Sequence, residues 1–357
     1  MSDNVLVTPA ELSQMIGAGG TVVIDTRDPA TYAAGHIPGA VNIHDIFTYL
    51  ATSTPEGVAE MRDKFATIFG AAGLSGEETA VITEQSMNTG FGQSCRGYVL
   101  LRYLGYPKIK ILHGGYVAWT AAGLPTTTEV PMPTPKTFKV DPGAASILVD
   151  LEGMKAAVAD SSKVKLDTRD VDEWVAESSS PYGKDFCPRK GRIPGAVWIE
   201  WYRMMKPSPA GPMFKSKNEI LAECASVGIT PDTPVVLYCF KGARASNTLV
   251  ALKEAGIKDV RLYFGSWNEW SRDPSLPIEE GLPFGAQPMM AFQLMGGDMQ
   301  AQGHAQVLVN MFDLGANLQA ATDMARFHHS QIANDLGMES QLYGAVGKEL
   351  RAMGHDV

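Results

Sequence analysis

At 357 residues, with 45% hydrophobic and 19% charged side chains, the chain is long for one domain and comfortable for two with an appendage. A formal charge of −9 argues against a nucleic-acid partner, and no apolar run approaches the length that crosses a membrane. Cys95, Cys187, Cys224 and Cys239 fall at irregular spacing with no Cys-x-x-Cys pair, which speaks against a zinc site or a disulfide framework and suits free thiols in a reducing compartment.

The opening Met-Ser-Asp-Asn-Val-Leu-Val lacks a basic stretch followed by an apolar one, so a cytoplasmic protein is expected. A short apolar strand is predicted over 21–25, ending in Asp25-Thr26-Arg27-Asp28, and Gly35-His-Ile-Pro-Gly-Ala-Val follows. Further strands are predicted over 79–83 and 108–112, with helical stretches between them. Pro125 to Pro135 reads as a stiff Pro/Thr linker. The same series then returns. A strand over 163–167 runs into Asp167-Thr168-Arg169-Asp170, Gly191-Arg-Ile-Pro-Gly-Ala-Val follows, and strands are predicted over 234–238 and 259–263. Leu112-His-Gly-Gly-Tyr-Val-Ala-Trp119 is answered by Tyr263-Phe-Gly-Ser-Trp-Asn-Glu-Trp270. The chain is therefore a duplication. The implied boundaries are 1–126, a linker over 127–145, 146–280, and a remainder over 281–357. Strands alternating with helices in each copy imply a parallel sheet flanked by helices, with ligands beyond the carboxyl ends of the strands.

Cys239 stands at such an end. It closes the run Pro-Val-Val-Leu-Tyr-Cys and precedes Phe240, Lys241, Gly242, Ala243 and Arg244, where a helical pattern begins. A strand-to-helix turn aims backbone N–H groups and the positive end of a helix at one point, which favours thiolate over thiol, and Lys241 and Arg244 add two cations. The blander reading is an inert buried cysteine. A cysteine phosphatase or arsenate-handling enzyme also uses Cys and Arg on such a turn, but with a loop one residue longer than the four residues between Cys239 and Arg244.

Asp-Thr-Arg, then Gly-(His/Arg)-Ile-Pro-Gly-Ala, then Tyr-Cys-x-x-Gly-x-Arg-x-Ser, then Gly-Ser-Trp-x-Glu-Trp together resemble the rhodanese family of sulfurtransferases in its tandem form, over about residues 5 to 280. The resemblance implies an α/β fold of two tandem rhodanese-like domains, each a parallel sheet flanked by helices, with the second domain catalytic. It makes Cys239 the persulfide-forming nucleophile, residues 240 to 244 the substrate-holding loop, and Asp167 and Arg169 a buried pair bracing that loop. Glu84 falls where the first copy would carry its nucleophile, so the first domain is expected to be non-catalytic and Glu84 a vestige in preference to a loop-bracing carboxylate. Cys95 is expected to pack at a helix start.

Thiosulfate-specific members resemble Cys-Arg-Lys-Gly-Val-Thr and mercaptopyruvate-specific members Cys-Gly-Ser-Gly-Val-Thr, whereas this loop is Cys-Phe-Lys-Gly-Ala-Arg. Lys241 keeps the thiosulfate-type lysine and Arg244 adds a guanidinium, which suits a compact dianion. Phe240 replaces a cation and suits polysulfide or an organic persulfide. In the inserted loop 177–192, Arg189, Lys190 and Arg192 are candidate steering cations, and Cys187 is either a persulfide acceptor or a loop cysteine without a role.

Residues 288–357 resemble the carboxyl-terminal region of gamma-glutamyltransferases, with Gly296 and Gly297 at the oxyanion-hole glycines of that family. The nucleophilic threonine of that family lies well upstream of those glycines, and in this segment Thr322 is the one threonine, inside a helical pattern. A partial α/β appendage serving packing or association is expected, with Val307, Leu308, Met311, Phe312 and Leu318 as an apolar stripe through which the chain would form homo-oligomers. His304, His328 and His329 lack a spaced partner for a metal. The activity expected is transfer of sulfane sulfur from thiosulfate through Cys239 to cyanide or a thiol, without metal or organic cofactor. The alternatives are mercaptopyruvate or polysulfide as donor, a non-enzymatic persulfide carrier, or phosphatase-type chemistry.

Overall fold

The computed structural model describes residues 4–141, 147–282, 300–312, 318–330 and 335–354. Two compact units are present, Met1–Pro283 and Phe284–Val357.

The first half of the larger unit runs β1 (Leu6–Val7), α1 (Pro9–Ala18), β2 (Thr21–Asp25), α2 (Pro29–Ala34), β3 (Val41–Asn42), α3 (Asp45–Thr48), α4 (Pro55–Ala71), β4 (Thr79–Thr83), α5 (Gln93–Tyr103), β5 (Ile109–Leu112) and α6 (Gly115–Ala121). Its sheet is parallel throughout, in the order β1-β5-β4-β2-β3. The second half repeats the pattern with β6 (Leu148–Val149), α7 (Leu151–Ala159), β7 (Val164–Asp167), α8 (Val171–Trp174) and β8 (Ala196–Trp198). There follow a 3₁₀ turn (Trp201–Met204), β9 (Met205–Lys206), β10 (Met213–Phe214), α9 (Lys217–Ala225), β11 (Val235–Tyr238), α10 (Ala243–Ala255), β12 (Val260–Tyr263) and α11 (Ser266–Trp270). Its parallel order, β6-β12-β11-β7-β8, matches the first sheet strand for strand.

The apolar runs read from the sequence became the inner strands β2, β4, β5, β7, β11 and β12. The edge strands β1, β3, β6 and β8, two or three residues each, carry too few side chains for a pattern to show. Helix starts follow local chemistry. Thr8 with Glu11 and Ser216 with Glu219 form capping boxes, and Asp28 caps α2 through the Thr31 N–H.

The halves share one core, because buried side chains of both belong to one continuous apolar cluster. At its centre α5 packs on α10. Residues 243–252 of α10 are all buried, the polar Arg244, Ser246, Asn247 and Thr248 included. The Pro/Thr segment is held against the first half: Thr127 pairs with His36, the Lys136 N–H bonds Gly70, and the buried Phe138 stacks on Tyr106.

The smaller unit contains α12 (Gln300–Phe312), α13 (Leu318–Asp323), an antiparallel pair β13 (Phe327–Ser330) and β14 (Asp335–Met338), and α14 (Ser340–Ala352). Thr322 lies in α13 as the helical pattern predicted. In the expected apolar stripe Val307 is buried, while Leu308 is 39% exposed. Gly296 and Gly297 lie outside the described residues, as do the side chains of Phe312 and Leu318.

Candidate active site

Cys239 follows β11, the central strand of the second sheet, and its side chain is buried. The chain turns through Phe240 and Lys241 to Gly242, which caps α10 with φ +91°, a conformation that side-chain-bearing residues rarely adopt. That turn carries the Gly242 N–H to 3.1 Å from Cys239 Sγ, at the N-terminus of a 13-residue helix, where a thiolate is stabilised. The loop is pinned from the next strand-helix junction, where Trp267 and Asn268 donate their N–H groups to the carbonyls of Cys239 and Phe240. Ser266 there takes φ +54° and accepts the Cys239 N–H on its hydroxyl at 3.4 Å.

Below the loop, Asp167 and Arg169 are both fully buried and joined at 2.6 Å, and Arg169 also donates to the Gly191 carbonyl. Asp25 and Arg27 repeat this in the first half, with Gly35 as the carbonyl.

A cavity of about 330 Å³ opens beside Cys239. Phe240, Lys241, Ala243 and Arg244 line it, and Asp170, Pro181 and Tyr182 close one side. Phe47 and Phe91 of the first half close another, so the first copy walls the cavity of the second. Sequence reasoning missed these wall residues, because nothing in the spacing of Phe47, Phe91 or Tyr182 points to the loop around Cys239.

The two cations of the loop differ. Arg244 is gripped by Glu173 at 2.6 and 3.1 Å and by Asp170 at 3.0 Å. Burial opposes its charge, but these carboxylates, led by Glu173, hold it firmly protonated. Its charge is thus matched locally, where the sequence reading gives its guanidinium to a compact dianion. Lys241 has no carboxylate partner among the described residues, and its Nζ lies 3.8 Å from the centre of the Phe47 ring. Burial, followed by repulsion from Arg96, brings its pKa down to about 7.

Arg96, on α5 of the first half, was not singled out from the sequence. It is fully buried, donates to the Phe47 and Tyr49 carbonyls at 2.9 and 2.7 Å, and leaves Nε without a partner among the described residues. Burial lowers its pKa to about 10, with Cys239 acting in the opposite direction. It fixes Phe47 and sets a positive charge behind Lys241.

Other expectations need correction. Arg192 is buried, donates to the Trp174 and Gly281 carbonyls and pairs with Glu279, away from the cavity. Arg189 ties down the carbonyls of Trp270, Ser271, Asp273 and Leu276, and Lys190 bonds the Glu177 carbonyl. These cations hold the inserted loop in place, because a loop this long needs its backbone groups satisfied. Cys187 is fully buried, and burial lifts its pKa to about 11, which removes the exposure and thiolate character a resolving thiol needs. Cys95 packs in the core at the start of α5.

Glu84 occupies the position of Cys239 after the matching strand β4, and it is no vestige. Its carboxyl accepts the Gln93 N–H at 2.9 Å and the Ser94 hydroxyl at 2.8 Å, capping α5. Its carbonyl and that of Gln85 accept from Tyr116 and Val117, as those of Cys239 and Phe240 do from Trp267 and Asn268. The loop-bracing reading therefore replaces the vestigial one.

Asp170, Asp172 and Glu173 are the one cluster of three potential metal ligands among the described residues, and Arg244 already pairs with two of them. No helix among the described residues is long and apolar enough to cross a membrane.

The duplicated parallel sheets, with a cysteine-bearing loop after the central strand of the second, define a tandem rhodanese architecture. The chain belongs to the rhodanese-like family, whose domain matches twice, over residues 8–122 and 150–273. Residues 284–357 match the gamma-glutamyltranspeptidase family. A thiosulfate sulfurtransferase of Azotobacter vinelandii is 30% identical over 276 residues, covering 77% of this chain and 96% of that protein. The sulfur carrier protein TtuD of Thermus thermophilus is 29% identical over 261 residues, 71% of this chain and 89% of TtuD. Among solved structures, wild-type EanB superposes with a TM-score of 0.67 at 25% identity, over 78% of this chain and 70% of EanB. An anaerobic ergothioneine biosynthesis enzyme of Chlorobium limicola bound to trimethyl histidine shares the fold, at 24% identity and TM-score 0.68 over 78% of this chain and 71% of that chain. The chain is a member of a family of sulfur-transferring proteins.

Proposed function

We propose that the protein transfers sulfane sulfur from thiosulfate to a thiol or cyanide through a persulfide on Cys239. The observation that carries this reading is the Cys239 sulfur, held by the Gly242 N–H at a helix N-terminus and opening on a cavity that Lys241 faces. The thiolate attacks the outer sulfur of the donor, the S–S bond of thiosulfate breaks, and sulfite leaves with the electron pair, its charge balanced by Lys241 and the loop N–H groups. With Arg244 already paired, Lys241 is the cation that receives the donor. Its replacement by Ala should lower kcat/KM for thiosulfate, a loss of transition-state stabilisation of roughly 1.5–3 kcal/mol.

A second reading takes polysulfide or an organic persulfide as donor. Phe47, Phe91, Tyr182 and Phe240 around the cavity favour it, since aromatic walls accept an apolar chain more readily than a hydrated dianion. Intact-mass analysis separates the two after exposure to thiosulfate, mercaptopyruvate and polysulfide in turn. A gain of one sulfur from thiosulfate, lost in Cys239→Ser and kept in Cys95→Ser and Cys224→Ser, supports the first reading. Loading from polysulfide alone moves the assignment to the second, and loading of Cys239→Ser overturns both.

A further inference from the structure

Discharge of the persulfide to a thiol needs a thiolate, and an ordinary thiol, with pKa about 8.5, is mostly protonated at neutral pH. Few groups at the cavity can take that proton. Asp170 and Glu173 are committed to Arg244, whose guanidinium does not give up its own proton. The Tyr182 phenol is held protonated, chiefly by burial. Arg96, behind the loop, spends its terminal nitrogens on the Phe47 and Tyr49 carbonyls.

Lys241 differs from all of these. It faces the cavity, its Nζ rests 3.8 Å from the centre of the Phe47 ring and 5.3 Å from that of Tyr182, and no carboxylate holds its proton among the described residues. Burial, Arg96 and Arg244 all favour the free amine, and only Cys239 opposes them, which leaves its pKa at about 7.

Resting on the sulfurtransferase reading above, we propose that Lys241 is the general base of the second half-reaction, taking the proton of a thiol acceptor as that thiol attacks the Cys239 persulfide. The thiol R–SH gives its proton to the Lys241 amine, and the resulting R–S⁻ forms a bond to the outer sulfur. The S–S bond to Cys239 breaks and its electron pair returns to Sγ as thiolate. The Lys241 ammonium then returns the proton to the transferred sulfur, so that R–SH and Cys239–S–S⁻ become R–S–SH and Cys239–S⁻ with no external oxidant or reductant. The same side chain serves as a cation when the dianionic donor is bound, because that charge favours its protonated form.

The test is single-turnover discharge of the persulfide-loaded full chain, followed by intact mass, with a weakly acidic alkyl thiol or with sulfite above its second ionisation, where it is a dianion and needs no base. Lys241→Arg keeps the charge and loses the base. The ratio of thiol to sulfite discharge rates should fall roughly 100-fold in that variant. In the wild type, thiol discharge should rise as pH passes through about 7, below the ionisation of the thiol itself. An unchanged ratio in Lys241→Arg overturns the proposal, and so does a wild-type profile that follows only the ionisation of the thiol. That profile decides the matter by itself if Lys241→Arg fails to fold. Failure of wild-type Cys239 to load from any donor overturns the sulfurtransferase reading instead.

Discussion

Arg244 closes on Glu173 with both terminal nitrogens, at 2.6 and 3.1 Å, tying the first turn of α10 to α8 directly behind the Cys239 loop. Its role follows from burial: Glu173 is 1% and Arg244 7% exposed, so each is costly without the other.

Arg244→Ala should therefore cost about 3–5 kcal/mol of stability, the usual consequence of stranding a buried charge. Glu173→Ala should cost less, because Asp170 remains 3.0 Å from the guanidinium. Urea unfolding of both variants measures this. An Arg244→Ala protein with wild-type stability and a tenfold higher KM for thiosulfate would reassign Arg244 to donor binding.

Glu84 gives a pH dependence of definite sign. Burial raises its pKa to about 8, against hydrogen bonds from Ser94, Gln93 and Gly92 that pull the other way. The folded state thus keeps a proton that the unfolded chain releases near its ordinary value of about 4.3. Stability from this group is complete below that value and is lost as pH rises through about 8, at up to about 1.4 kcal/mol per unit. Glu84→Gln should flatten this decline. Across urea midpoints from pH 5 to 9 the wild type should lose stability relative to Glu84→Gln with rising pH, and parallel curves would show that Glu84 is ionised throughout.

Gly92 is a point of close approach between the two halves. A Cβ there would lie 2.4 Å from the Ala243 carbonyl oxygen and 3.0 Å from Asn247 Cβ, and its φ is +77°. Gly92→Ala should destabilise the protein by roughly 1–3 kcal/mol from backbone strain. It should also slow persulfide loading, since Ala243 begins the helix that stabilises Cys239. Stopped-flow loading with thiosulfate, alongside thermal unfolding, reads both effects, and wild-type loading in a destabilised variant would confine the damage to packing.

The sequence spoke clearly where local chemistry decides. The inner strands, the Asp-x-Arg pairs, the strand-to-helix turn at Cys239 and the duplication follow from patterns within a few residues or from direct repetition. The walls of the cavity do not. Phe47 and Phe91 reach the Cys239 cavity, and Arg96 comes behind its loop, because α5 packs on α10, a relationship across more than a hundred residues that no periodicity encodes. The loop cations misled for the same reason. Arg189 and Arg192 look solvent-facing in a polar loop, yet their guanidinium groups satisfy backbone carbonyls, which depends on how the loop folds back. Glu84 looked vestigial because its use is a helix cap formed nine and ten residues further on.

The tail provides the last prediction. Residues 284–357 match a transpeptidase family, yet residues 8–122 and 150–273 upstream of them match rhodanese-like domains. Rhodanese-like domains stand where that family's nucleophile-bearing segment would precede the tail, so the full chain should show no gamma-glutamyl transfer. The cut that isolates the sulfurtransferase should follow Pro283, because Arg192 anchors on Glu279 and on the Gly281 carbonyl, and a cut at Glu280 would strip one of those anchors. A chain ending at Pro283 should keep the sulfur-transfer rate per Cys239 within about twofold while changing in solubility, melting temperature or oligomeric state, as expected for an association element. Size-exclusion chromatography with light scattering, read beside thiosulfate turnover and a gamma-glutamyl transfer assay, tests each part. Transpeptidase turnover in the full chain would give the tail a chemistry of its own, and collapse of sulfur transfer in a truncated protein that stays folded would make it part of the sulfurtransferase.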